Sequence, residues 1–134
     1  MLTKISSYYE TEPVGFREQP WFLNAALEVR TALAPYDLLD ACHEIERAQD
    51  RVRTFKDAPR TLDLDILLCD DLVINDARIV IPHPRLAERR FVLVPLAEIA
   101  PEVLHPVLGK SIRSLLESCT DPSAVRIHSP GDSP

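Results

Sequence analysis

Two aspartates interrupt an apolar run in the stretch "PRTLDLDILL", which covers residues 59–68. Residues two apart on a β-strand point to the same side, with Cα atoms roughly 6.5–7 Å apart. A strand here would therefore place Asp63 and Asp65 on one face and turn the intervening leucines toward the core. Such a carboxylate pair suits Mg²⁺, which takes one or two carboxylates and completes its shell with water and phosphate oxygens. The pattern is also typical of an ordinary solvent-facing strand, so its meaning depends on its surroundings.

Basic residues surround the two aspartates, although the net charge of the chain is −6. Nine of its fifteen lysines and arginines lie between residues 47 and 90, namely Arg47, Arg51, Arg53, Lys56, Arg60, Arg78, Arg85, Arg89 and Arg90. Cations are needed where phosphoryl groups react, because that chemistry depends on positioning and charge neutralisation. The cluster favours a local anion site, and a solvated charged surface is the alternative interpretation.

The chain contains only three glycines, and neither a G-x-x-x-x-G-K-[ST] nor a G-x-G-x-x-G motif. If the protein binds a nucleoside triphosphate, side-chain cations and metal ions must therefore hold the phosphates. The four histidines lack the spacing of zinc ligands. We interpret His83, in "IPHPRL", as a phosphate contact and His105, between apolar residues and a proline, as structural.

Length and composition predict a soluble globular protein with one domain over residues 1–126 and a disordered tail over 127–134. The net charge of −6 argues against a nucleic-acid binder. No apolar run approaches the ~20 residues of a membrane span, and the N-terminus does not resemble a signal peptide. The three cysteines, an odd number without C-x-x-C spacing, indicate a reducing compartment, so we predict a cytoplasmic location.

The elements that must position these residues form an α+β pattern, with helices packed on a sheet. Pro35 suits the first turn of a helix that ends near Arg51, with an apolar stripe at helical spacing. The other elements are strands in 2–9, 21–31 and 60–68, a turn-linked pair of strands in 69–84, and short helices in 85–99 and 111–119.

The predicted strand over 21–31 has alternating character that assigns its two faces. Its core face would carry Trp21, Leu23, Ala25, Leu27 and Val29. Phe22 and Asn24 would then share the open face. An aromatic ring beside an amide suits stacking and edge hydrogen bonding to a flat heterocycle. A half-covered phenylalanine beside a solvated asparagine is the alternative.

Five stretches resemble, in order, the motifs of the 6-hydroxymethyl-7,8-dihydropterin pyrophosphokinase family: "SSYYETEPVG", "QPWFLNAALEV", "IERAQDRVR", "APRTLDLDILL" and "IPHPRLAERRFVLVPLAEIAPE". The resemblance covers the chain to about residue 106. It implies transfer of a pyrophosphoryl group from ATP to the hydroxymethyl oxygen of the pterin, with release of AMP. It also implies a ferredoxin-like antiparallel sheet with helices packed on it.

The resemblance assigns a role to each matching residue. Asp63 and Asp65 would bind two Mg²⁺ ions, and Arg51 and Arg60 would be the catalytic phosphate-binding arginines. The pterin-binding residues would be Thr11, Val14, Phe22, Asn24 and Phe91. The ATP-binding residues would be His43, Glu46, Arg53, Ile66, Arg78, His83 and Arg89.

The chain departs from the family pattern at its start, because a first strand with a Gly-Ser-Asn motif and a following helix precede the first matching motif in the family. We interpret Met1 as an internal start. The resemblance implies small-molecule partners and a monomer, with association with neighbouring folate-pathway enzymes as an alternative. A truncated, non-catalytic pterin- or nucleotide-binding fragment is the competing function. A metal-dependent nuclease is disfavoured by the net charge of −6 and the lack of a general base.

Overall fold

A computed structural model describes residues 1–12, 21–51 and 62–128 of the chain. The chain divides into two compact units, one formed by residues 1–31 with 84–134 and the other by residues 32–83. The strands are β1 (Leu2–Ile5), β2 (Tyr9–Thr11), β3 (Phe22–Asn24), β4 (Leu27–Val29), β5 (Ile74–Asn75), β6 (Val80–Ile81) and β7 (Val125–Ile127). The helices are α1 (Pro35–Arg51), α2 (Arg90–Ile99) and α3 (Ile112–Glu117).

The predicted α+β class is confirmed, and the strands of the described residues pair only antiparallel. They form three small sheets, with strand orders β1-β4, β3-β2-β7 and β5-β6. None of the helices in the described ranges has both the length and the apolar character needed to cross a membrane.

The unit of residues 1–31 and 84–134 is built around the sheet β3-β2-β7 and the helix pair α2 and α3. Tyr9 pairs with Asn24 on one side and with Ile127 on the other. Helix α2 contacts all three strands of this sheet and also packs against α3. The core of the unit consists of apolar side chains from these elements and from the segments beside them: Tyr9, Ala26, Leu86, Leu93, Leu96, Ile112 and Leu115.

The predicted single strand over residues 21–31 is wrong, because a break at Ala26 divides it into β3 and β4. Ala26 donates its backbone N–H to the Ser6 side-chain oxygen at 2.8 Å. Ser6 lies in the break between β1 and β2, as Ala26 lies in the break between β3 and β4. The assignment of a core face also fails, because Leu23, Leu27 and Val29 are about half exposed and Ala26 is the buried residue. The break shifts the alternation that the apolar residues had suggested.

Residues 127 and 128, which were predicted to belong to a disordered tail, lie in or beside the sheet. Ile127 is the last residue of β7, and the backbone N–H of His128 donates to the Tyr8 carbonyl at 2.8 Å. Both residues therefore belong to the sheet region. Residues 129–134 lie outside the described part of the chain.

The unit of residues 32–83 contains α1 and the β5–β6 hairpin. Helix α1 has the predicted bounds, and Pro35 is its first residue. The "ND" turn predicted between the two strands is closed by Asp76, whose Oδ1 accepts the backbone N–H groups of Arg78 at 2.9 Å and Ile79 at 3.0 Å. An aspartate that binds the backbone two or three residues ahead is a common way to fix such a turn. Tyr36 of α1 donates its hydroxyl to the other oxygen of Asp76, which ties the hairpin to the helix.

His105 stabilises the loop between α2 and α3, as its surroundings in the sequence predicted. The residue is only 7% exposed, and its Nδ1 accepts the backbone N–H groups of Val107 at 3.2 Å and Leu108 at 3.1 Å. Its carbonyl accepts the N–H of Gly109, which has a φ of +67° that glycine adopts without strain. The imidazole thus acts as a buried acceptor in a tight loop.

We expect protonation of His105 to destabilise the protein. Burial lowers the pKa of His105 below its ordinary value of 6.5, so the unfolded chain binds a proton at a higher pH than the folded chain. The contribution of neutral His105 is therefore complete above about pH 6.5 and declines as the pH falls from there toward the folded-state pKa. Urea unfolding at a series of pH values should show this decline in the free energy of unfolding.

The variant His105→Ala should lose about 1–3 kcal/mol at neutral pH, because two backbone donors lose their acceptor. It should also lose the part of the pH dependence below about pH 6.5 that His105 causes. A variant that keeps the full pH dependence would contradict this assignment.

Candidate functional site

Asp63 and Asp65 lie on the segment of residues 62–69, called the acidic segment below, which is not a strand. No strand is assigned to residues 62–69, so the predicted strand over 60–68 is wrong for the part that the structure describes. Burial nevertheless alternates: Asp63 and Asp65 are exposed, whereas the apolar residues beside them are partly buried. Side-chain preference for core or solvent gives this alternation without a ladder of backbone hydrogen bonds.

Both aspartates line one open cavity of about 370 Å³ within the unit of residues 32–83. Seven residues of this unit that were predicted to bind metal or nucleotide line the same cavity: His43, Glu46, Asp63, Asp65, Ile66, Arg78 and His83. The remaining wall is apolar and consists of Leu39, Leu64, Ile79 and Val80. The site therefore combines residues from α1, the acidic segment and the β5–β6 hairpin.

The side chain of Glu46, on α1, binds the backbone of the acidic segment. Its Oε2 accepts the N–H of Leu64, the residue between the two aspartates, at 2.7 Å. Hydrogen bonds from backbone N–H groups to a carboxylate are among the stronger ones in proteins. A second bond anchors the segment further along, where the N–H of His83 donates to the Leu67 carbonyl at 2.9 Å. One oxygen of Glu46, predicted to contact ATP, is thus occupied by the protein itself.

Arg78 is positioned by the helix that faces the hairpin. Its Nη2 donates to Oδ1 of Asp40 at 2.7 Å, and its guanidinium lies 5.3 Å from the centroid of the Tyr36 ring. Its backbone N–H is fixed by Asp76 at the turn. The side chain remains about half exposed, so the pair with Asp40 contributes little to stability. A phosphate group could exchange for Asp40 at small cost.

The described residues that line the cavity carry an excess of negative charge. This charge also affects the thiol of the neighbouring Cys42. The pKa of the Cys42 thiol is raised, first by burial and then by the charges of Glu46 and Asp65. Among the described residues, three carboxylates line the cavity against one guanidinium. A polyphosphate would meet repulsion in such a cavity unless cations accompanied it.

The donor set fits a metal ion that is shared with a phosphate ligand. Among the described residues, no group of three or more His, Cys, Asp or Glu side chains could coordinate a metal ion. Two exposed carboxylates at an open cavity match Mg²⁺ instead, which leaves several positions to water and phosphate oxygens. Asp63 and Asp65 are the residues that would hold it.

The residues predicted to bind the pterin lie in the other unit, of residues 1–31 and 84–134. Asn24 donates from Nδ2 to the hydroxyl oxygen of the buried Thr11 at 2.6 Å, which leaves its Oδ1 as an acceptor. Thr11 is the register partner of Phe22, whose ring is 56% exposed. The strand pairing therefore places all three side chains on one face of the sheet.

Phe91 and Arg89 lie at the beginning of α2 in this same unit. The Arg89 guanidinium is 5.6 Å from the centroid of the Phe91 ring, within the range of a cation–π contact. The helix start is further fixed by Asp121, whose Oδ2 accepts the backbone N–H of Arg90 at 3.0 Å. Burial would raise the pKa of Asp121, but hydrogen bonds from Ser123 and from the Arg90 N–H lower it overall.

Four of the predicted site residues are not placed by these contacts. Arg51 is the last residue of α1, and Val14, Arg53 and Arg60 lie outside the described residues. The roles that the resemblance implies for them stay predictions.

The sequence analysis missed one polar cluster, which joins α2 to the sheet. Glu98 accepts hydrogen bonds from the Tyr9 hydroxyl at 2.5 Å and from the backbone N–H of Ser7 at 2.8 Å. A signal was present, since Glu98 is the only acidic residue in the apolar helix "RFVLVPLAEI". Its partners lie about 90 residues away in the chain and could not be inferred from spacing.

The structure thus defines an α+β protein with an acidic cavity in one unit and an aromatic and amide-bearing sheet face in the other. Comparison with known proteins gives the family. Residues 1–101 match the family profile described as 7,8-dihydro-6-hydroxymethylpterin-pyrophosphokinase (HPPK). The chain belongs to this family, and the predicted resemblance is confirmed.

Three similar proteins illustrate the relationship. The 2-amino-4-hydroxy-6-hydroxymethyldihydropteridine pyrophosphokinase of Bacillus subtilis is 49% identical over 102 residues, which cover 76% of this chain and 61% of the relative. The protein of the same name from Methylorubrum extorquens is 44% identical, over 90% of this chain and 74% of the relative. The folic acid synthesis protein fol1 of Pneumocystis carinii is 43% identical, over 88% of this chain and 16% of the relative. The chain therefore spans about three fifths of its Bacillus relative and a small part of the fungal one.

Proposed function

We propose that the protein transfers a pyrophosphoryl group from ATP to 6-hydroxymethyl-7,8-dihydropterin, a step in folate biosynthesis. The observation that carries the proposal is that seven residues of 32–83 that were predicted to bind metal or nucleotide line one cavity. Family membership supports the same reaction, because relatives in this family are named as pyrophosphokinases.

The proposed reaction forms one bond and breaks another at the β-phosphorus of ATP. The hydroxymethyl oxygen of the pterin attacks in line, and the bond from the β-phosphorus to the oxygen that it shares with the α-phosphorus breaks. AMP leaves with that oxygen, the hydroxyl proton passes to water, and the pterin diphosphate is the second product. Two Mg²⁺ ions, when bound, would neutralise charge on the triphosphate and help to align it.

The protein's own residues would then act mainly by positioning. Asp63 and Asp65 hold the metal ions, and Glu46 keeps the segment between them in place. The phosphates are contacted by Arg78, His43 and His83. Further positive charge comes from Arg51 and Arg60. Asn24 presents an acceptor to the edge of the pterin beside the ring of Phe22. Arrangement and charge neutralisation suffice for phosphoryl transfer, which needs little covalent chemistry from the protein.

The adenine nucleotide that is formed from ATP, either AMP or ADP, distinguishes pyrophosphoryl transfer from the alternative functions. The full chain should convert ATP to AMP when Mg²⁺ and reduced hydroxymethylpterin are both present, as followed by liquid chromatography with mass detection. Omission of the pterin is the control and should abolish AMP formation. Formation of ADP would exclude pyrophosphoryl transfer, and saturable binding of pterin or nucleotide without AMP would indicate a non-catalytic binding protein.

The proposal also defines the partners and the setting. The partners are the two small substrates, and the protein acts as a monomer in the cytoplasm. Sedimentation of the purified chain, alone and with other enzymes of folate synthesis, tests both the monomer and the alternative of an association.

A further inference from the structure

The hydrogen bonds around Glu98 connect the exposed side of α2 to the sheet β3-β2-β7 through the buried Tyr9. The Tyr9 side chain is 8% exposed, and its hydroxyl donates to Oε1 of Glu98 at 2.5 Å. The other oxygen, Oε2, accepts from the backbone N–H of Ser7 at 2.8 Å and from its hydroxyl at 3.3 Å. Both oxygens of one helix carboxylate are thus engaged by the chain that enters β2.

These contacts lie on the same surfaces as the predicted pterin-binding residues. Tyr9 is two residues from Thr11 and opposite Asn24 in the strand register, so the three side chains share a face of the sheet. Because Tyr9 reaches Glu98, this is the face toward α2. On the helix, Phe91 and Glu98 are seven residues apart, which places them on nearly the same side with a separation of roughly 10 Å along the axis.

We propose that Tyr9 and Glu98 are a positioning pair that fixes the spacing between α2 and the sheet, and thereby the fit of a flat heterocycle between Phe91 and the residues Phe22 and Asn24. The inference rests on the proposed function and adds two residues to it. Neither residue touches the substrate. They act through the helix and the strand that carry the contacting side chains.

The protonation states of the pair keep the contact intact over a wide range of pH. Burial, followed by the hydrogen bond to Glu98 and its charge, raises the pKa of Tyr9 to about 12, so the phenol remains a donor. The hydrogen bond from Tyr9 lowers the pKa of Glu98 below its ordinary value, so the carboxylate remains an acceptor. A charged acceptor makes a stronger hydrogen bond than a neutral one.

Tyr9→Phe tests the proposal, with Tyr8→Phe as the matched control. Tyr8 is the neighbouring tyrosine and is 52% exposed. Tyr9→Phe removes one hydroxyl and keeps the ring, and we expect the KM for the pterin to rise about tenfold, as the loss of a hydrogen bond to a charged group predicts. The KM for ATP and kcat at saturating pterin should stay within about twofold of the values for Tyr8→Phe. Glu98→Gln, which keeps the volume and an acceptor oxygen, should give a smaller rise in the same constant.

Binding and stability measurements separate positioning from a purely structural role. Pterin binding to the full chain, followed by the fluorescence of the pterin, should weaken in Tyr9→Phe by the same factor as the KM. A variant that loses thermal stability but binds pterin as Tyr8→Phe does would overturn the proposal. If the unmodified chain binds pterin but forms no AMP, the proposed reaction fails, and the binding comparison still decides the role of the pair.

Discussion

Replacing either Asp63 or Asp65 with asparagine is expected to lower the turnover number about 10²–10³-fold at saturating ATP and pterin, by analogy with the loss of one preorganised electrostatic group in other active sites. The substitution keeps the size of the side chain and removes its charge. Both carboxylates line the same cavity, in which the excess negative charge requires a cation before a triphosphate can enter. The rate of AMP formation as a function of Mg²⁺ concentration is the measurement.

Asp71→Asn is the matched control for this pair. Asp71 is an exposed aspartate of the same unit that does not line the cavity. It should retain the full rate and the full response to Mg²⁺. If all three variants turned over equally, the metal-binding role of the pair would be wrong.

A readout that does not depend on turnover should agree with the kinetics. Mn²⁺ bound together with a non-hydrolysable ATP analogue can be counted by electron paramagnetic resonance. The unmodified chain and Asp71→Asn should bind more Mn²⁺ than either single variant of the pair. Because the two aspartates would share a pair of ions with the same ligand, the double variant should lose little more than each single variant.

Local rules predicted the parts of this fold whose determinants are close together in the sequence. Helix α1 follows from an apolar stripe at helical spacing and a proline in the first turn, and its bounds agree with the structure. The β5–β6 turn follows from an aspartate that binds the backbone two and three residues ahead. In both cases the deciding contacts join residues within a turn or two of each other.

The predictions that failed depended on contacts that are distant in the sequence. The break between β3 and β4 is fixed by Ser6, twenty residues from Ala26, so the alternation of 21–31 alone could not show it. The acidic segment keeps its alternation of exposure but is held by Glu46, eighteen residues away, in place of a strand ladder. The link from Glu98 to Tyr9 spans eighty-nine residues. Residue types predicted several of the side chains that line the cavity, whereas the contacts that position them required the fold.

Arg60→Ala is expected to cost about 3 kcal/mol of transition-state stabilisation, a fall of about two orders of magnitude in kcat/KM for ATP. Arg60 precedes Asp63 by three residues and lies outside the described part of the chain, so the prediction rests on the family motif "PRTLDLDILL" and on the charge of the site. The described part of the cavity wall places three carboxylates against one guanidinium, and a transferring phosphoryl group therefore needs further cations.

Two further variants make the role of Arg60 specific. Arg60→Lys keeps the charge but loses the planar fork that binds two phosphate oxygens at once, so it should recover only part of the rate. Arg47→Ala removes an exposed arginine of the same basic region that pairs with Glu44 on α1, and such a surface pair contributes little. We expect Arg47→Ala to behave as the unmodified chain in a steady-state assay of AMP formation. Equal rates for Arg60→Ala and Arg47→Ala would show that Arg60 does not act on the phosphates, and full recovery by lysine would show that charge alone is sufficient.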